Sequence, residues 1–99
     1  MFALLLLDKR YRVLHFHKTP NSTLTTAYPR DIIQRALRCK ASTVVLARGF
    51  PSEKPRCDRT EVKLVKTLKV LLALADVRLL DHIGIARTGY MSLAERGQL

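Results

Sequence analysis

Ninety-nine residues suffice for one domain with one core, and an apolar share of 47% sets the chain apart from disordered sequences. Eighteen Lys and Arg against eight Asp and Glu leave a net charge of +10, which attracts polyanions, nucleic acid first and acidic proteins or anionic surfaces second. Cys39 and Cys57 are too few for a disulfide framework and read as reduced cytoplasmic thiols.

Met1 to Leu7 is apolar but too short to span a bilayer, and it lacks the flanks of a signal peptide. It reads as a buried strand, so a cytoplasmic protein without a membrane partner is expected. Phe2 to Leu7 is the strand itself, and Asp8-Lys9-Arg10 supplies a turn. Tyr11 to His17 alternates, with Tyr11, Val13, His15 and His17 on one face and Arg12, Leu14 and Phe16 on the other. Together they predict a β-hairpin. Residues 18–28 are polar and β-branched, a loop with an extended piece near Leu24 to Thr26. Pro29 sits at a helix start, where its missing N–H costs nothing. That helix runs to about Cys39, with Ile32, Ile33, Ala36 and Leu37 as its buried stripe.

Ser42 to Ala47 is the next strand, and it runs straight into Arg48-Gly49-Phe50-Pro51 and a polar loop. Asp58 then fits a helix N-cap, with Glu61 completing a capping box. The helix reaches about Ala75 and buries Val62, Val65, Leu68, Leu72 and Ala75. Arg59, Lys63, Lys66 and Lys69 fall on roughly the opposite side, interrupted by Val70 and Leu74. Leu79 to Ala86 is a strand, Arg87-Thr88-Gly89 a turn, and Tyr90 to Leu93 a last short strand before a polar tail expected to fray.

Few patterns here carry chemistry. His15 and His17 share a strand face and could ligate one metal, but no spacing supplies a third ligand. No nucleophile has a histidine placed beside it, and no phosphate-cradling glycine loop is present. The basic side of the second helix is the best positive signal. Arg48, Lys54 and Arg56 in the preceding loop extend it toward a phosphate-binding face.

LLLLDKRYRVL, YPRDIIQRAL and, most specifically, LLDHIGIARTGYMSLAERG resemble the RadC family of bacterial JAB/MPN-type domains over nearly the whole chain. The resemblance implies an α/β (α+β) fold of the JAB1/MPN-like, cytidine deaminase-like kind: a mixed sheet flanked by two main helices. It implies one such domain over residues 1–99, without the N-terminal helix-hairpin-helix region that RadC proteins often carry.

The family's metal motif reads His-x-His-Pro-Ser-Gly, followed by Ser-x-x-Asp. The matching residues here are Arg48-Gly49-Phe50-Pro51-Ser52-Glu53 and Asp58-Arg59-Thr60-Glu61. Arg48 and Phe50 stand at the histidine positions, Glu61 at the ligating Asp and Asp58 at the Ser. The upstream Glu that serves such sites as general base has no counterpart, since the first Glu is Glu53. Catalytic zinc takes about three protein ligands plus water. A guanidinium stays protonated and Phe50 has no lone pair. Zinc is therefore expected to be absent and the chain not to be an enzyme. Arg48 is expected to take the place of the lost cation and pair with Glu61 or Asp58, with Phe50 as the apolar wall.

The expected function is a non-catalytic, DNA-repair-associated binding module. Its nucleic-acid face would comprise Arg48, Lys54, Arg56, Arg59, Lys63, Lys66 and Lys69. The alternative is a metal-free scaffold that docks a protein partner or a second copy through Val70 and Leu74. A JAMM-type zinc metallopeptidase is a third reading, and it would have to rebuild a site from His15, His17 or His82.

Overall fold

A run of four leucines, Leu4 to Leu7, keeps nearly every side chain dry only inside a sheet. The computed structural model describes residues 1–19, 28–51, 54–55 and 57–99, and places that run in β1 (Phe2–Leu7). The other elements are β2 (Val13–Thr19), α1 (Tyr28–Cys39), β3 (Thr43–Gly49), α2 (Arg59–Leu74), β4 (Arg78–Ala86) and β5 (Gly89–Ser92). The extended piece expected near Leu24 to Thr26 lies outside the described residues. The sheet has five strands in the order β2-β1-β3-β4-β5, with β3 and β4 parallel and the other neighbours antiparallel. A mixed sheet with two helices is the architecture the resemblance implied.

The hairpin forms as expected, but β2 begins at Val13 rather than Tyr11. The reason lies in the turn. Asp8 accepts the amides of Arg10 at 2.8 Å and Arg12 at 2.9 Å, and the Arg12 Nε at 2.8 Å. Closing that loop puts Tyr11 in the left-handed region at φ 61°. His15 and His17 pair with Leu6 and Leu4, so they do share a face, with their rings stacked 6.4 Å apart.

Leu4, Leu6, Val44, Leu46 and Leu79 from the sheet pack with Ile32 and Ala36 of α1 and with Val65, Leu68 and Leu72 of α2. Four expected core positions differ, among them Ile33, which is half-buried. Leu37 is exposed, because α1 buries the line Pro29, Ile32, Ala36 and Leu37 sits about 100° further round. Val62 and Ala75 are only half-buried at the margins of the α2 stripe.

The tail does not fray. Asp81 accepts the Ala94 amide at 3.0 Å and the Ser92 hydroxyl, while Ser92 Oγ accepts the Glu95 amide at 3.1 Å. Gln98 N–H reaches Leu93 O at 2.9 Å, and Leu99 packs against the core. No helix among the described residues is long and apolar enough to cross a membrane.

Candidate functional site

Register decides which side chains meet at the end of β3. Phe2, Arg48 and Gly84 form one cross-strand row, and Leu4, Leu46 and His82 form the row beneath it. Leu4 and Leu46 face the helices, and therefore so do Arg48 and His82. The first turn of α2 closes over them. Asp58 caps that helix, accepting the Glu61 amide on Oδ1 at 2.8 Å.

The reciprocal half of the expected capping box is replaced by something else. Glu61 is buried, and its carboxylate turns inward to Arg48 and His82. Arg48 Nη1 pairs with Glu61 Oε1, and His82 Nε2 lies 3.3 Å from Glu61 Oε2. Arg48 thus pairs with Glu61, not with Asp58. The capping role leaves Asp58 outside the cluster.

Burial explains the protonation of His82. Its ring is fully inaccessible, and its pKa is pushed down to about 4, first by desolvation and then by the Arg48 charge, against a smaller opposing pull from Asp81. A neutral ring with its hydrogen on Nε2 donates to the Glu61 carboxylate. His82 Nδ1 and Arg48 Nε are buried without a hydrogen-bond partner among the described residues.

Phe50 forms the apolar wall. The Arg48 guanidinium carbon lies 4.7 Å from the centre of its ring, a cation–π contact. Gly84 makes room for that ring, since a Cβ there would stand 3.0 Å from Phe50 and 3.3 Å from Pro55. Cys57 completes the corner. Its thiol pKa is raised by burial and by Asp58, with Arg48 and Arg96 pulling the other way.

Ligand atoms of Cys57, Glu61 and His82 lie within 4.8 Å of one another, the one trio among the described residues that could hold a metal ion. The same Glu61 carboxylate already carries the Arg48 guanidinium on one oxygen and faces His82 with the other. Thiol, carboxylate and imidazole are ordinary zinc donors, and an ion there would compete with the Arg48 guanidinium for the Glu61 carboxylate.

Sequence reasoning gave Cys57 no role, and His82 one only in the zinc-metallopeptidase reading. The signal for His82 was available: a polar ring in an otherwise apolar strand must find a partner or a function. Cys57 carried no such signal, since it stands in a loop and joins the trio only through the fold.

The cations expected on the nucleic-acid face separate. Arg59, Lys63, Lys66 and Lys69 are exposed along α2, and none forms an ion pair with a described residue. Lys54 is exposed in the preceding loop, and Arg56 lies outside the described residues. Arg48 points inward to Glu61 and leaves that face.

Comparison with known proteins follows the same lines. The family model for the RadC-like JAB domain matches residues 1–98. A UPF0758 protein of Albidiferax ferrireducens is 45% identical over the whole of this chain, which covers 43% of that protein. A UPF0758 protein of Methylibium petroleiphilum is 43% identical over the whole of this chain, covering 46% of that protein. Another from Leptothrix cholodnii is 40% identical with the same 46% coverage. The chain spans less than half the length of these relatives.

Proposed function

The chain belongs to the RadC-like JAB domain family, and from that premise we propose that it is a metal-free, non-catalytic member that binds nucleic acid. The observation that carries this reading is the Arg48–Glu61 ion pair at matched positions of the family's metal motif. A guanidinium there supplies positive charge to the buried carboxylate. It cannot lower the pKa of a water or polarise a carbonyl as a Lewis acid does. His82 stays neutral beside it and holds the carboxylate in place.

Binding falls to the outer side of α2. Arg59, Lys63 and Lys66 lie within one strip of the helix surface, and Lys69 at its flank. The net charge of +10 supports a polyanionic partner. DNA repair is the setting that the family's name suggests, and the name supports a setting rather than a mechanism.

The test is fluorescence anisotropy of labelled single- and double-stranded DNA, titrated at several salt concentrations in EDTA. Micromolar binding that weakens steeply with salt is expected. Charge reversal at Lys63 and Lys66 should abolish it. Absence of binding at low salt would overturn the nucleic-acid reading and leave the scaffold reading, which the exposure of Val70 and Leu74 favours.

A further inference from the structure

Helices α1 and α2 lie side by side, and they do not close over what lies between them. Ile33 and Leu37 project from one side of α1, one turn apart. Leu64, Thr67, Leu71 and Leu74 form a matching stripe on α2. Between the stripes runs a groove of about 460 Å³, walled by Ile33, Leu64 and Leu71, with Arg30 and Gln34 at its edge. The leucines at its outer end are wet: Leu37 is 55% exposed, Leu71 37% and Leu74 81%, with Val70 beside them at 63%. A contiguous apolar patch opening into a groove is unusual on a protein that works alone.

The border of the groove has one sign of charge. Arg30 lines it, and Lys63 precedes the lining residue Leu64 and stands one turn before Thr67 on α2. The one acid on α1, Asp31, lies on the far side and pairs with Arg35 at 3.1 Å. The one acid on α2, Glu61, is buried with Arg48. From Leu64 to Leu74 the stripe is about 15 Å long, close to three helical turns.

We infer that this groove docks an amphipathic helix of a partner protein, with apolar residues at i, i+3 or i+4 and i+7 and acidic residues along its flanks. The apolar stripe matches the walls and the acids match Arg30 and Lys63. A second copy of this chain fits poorly. It would bring another +10, and its own helices present basic outer faces. Nucleic acid supplies phosphates but no apolar stripe to dry the leucines. The groove leucines are not part of the phosphate face; Lys63 alone is shared between the two readings.

The probe is a synthetic peptide of about three helical turns, with leucines at that spacing and Glu on both flanks. A second peptide replaces the Glu residues by Lys. Binding to the full chain is followed by methyl NMR. Micromolar affinity is expected for the Glu peptide, with shifts confined to Ile33, Leu37, Leu64, Leu71 and Leu74. The double variant Leu37→Gln, Leu71→Gln alters two exposed residues without changing the charge, and its helical circular dichroism and Tm should match the parent. It should bind the Glu peptide about tenfold more weakly or worse, while its DNA anisotropy stays unchanged. Equal binding of the Lys peptide, shifts outside the groove, or no binding would overturn the inference. So would a dimer in sedimentation that the same double variant dissociates, since the groove would then be an interface between copies.

Discussion

The histidines of this chain live in two opposite settings. His15 and His17 stand two residues apart on the edge strand, stacked on one another, His15 exposed and His17 half-buried. His82 stands alone in the sequence, fully buried, with Arg48, Glu61 and Cys57 gathered around it from three other segments. Sequence proximity made the first pair look like the start of a site. Tertiary structure made the second one. A polar residue acquires consequence when burial removes its alternatives, because in water an imidazole can exchange partners at little cost.

The largest effect should come from breaking the buried pair from the acid side. Glu61→Ala leaves a guanidinium and a neutral imidazole facing an apolar wall. We expect a loss of about 3–5 kcal/mol in urea unfolding, the usual cost of stranding one member of a buried ion pair. Arg48→Met leaves the buried carboxylate unpaired and should cost roughly 3 kcal/mol. It also clears the guanidinium from the Cys57, Glu61 and His82 trio. Zinc added to this variant should raise its Tm, whereas zinc added to the parent should not. The double variant Arg48→Met, Glu61→Ala should lose less than the sum of the two, which a double-mutant cycle reads directly.

The acid side of the stability profile follows from His82. Its folded pKa of about 4 lies below the ordinary 6.5. The unfolded chain therefore takes up a proton first as pH falls. The contribution of the neutral ring is fully present above pH 6.5 and is lost as pH drops toward 4, by roughly 3 kcal/mol in all. Glu61, Cys57 and Arg48 lie about the ring, while the Asp81 carboxylate accepts the His82 amide and opposes the shift. His82→Phe should flatten the profile between those limits. The smallest effect is expected at the other end of the comparison. His15→Ala with His17→Ala should shift stability by only about 0.5 kcal/mol in urea unfolding.

Much of this was legible in the residues. The leucine run placed β1, Asp58 placed the start of α2, and the match to the family's metal motif led to the expectation that Arg48 pairs with Glu61 or Asp58, of which the fold selects Glu61. The misreadings have a common cause. Glu61 was assigned to a capping box because that is its local option, yet a buried cation and imidazole outcompete one exposed amide. Leu37 was assigned to the core because it continues an apolar stripe, and only the position of α2 shows that the stripe overruns into a groove. The tail was read as frayed because its composition is polar, but Asp81 and Ser92 hold it through bonds that no local pattern announces. Contacts between residues far apart in the chain are where periodicity carries no information.

The central claim is that Arg48 holds the place of a metal ion. Dialysis of the purified chain against excess zinc, then against metal-free buffer, followed by elemental analysis, tests it most directly. The account predicts negligible zinc in the parent chain. Stoichiometric zinc in the parent, lost on His82→Phe, would contradict it and return the site to metal chemistry.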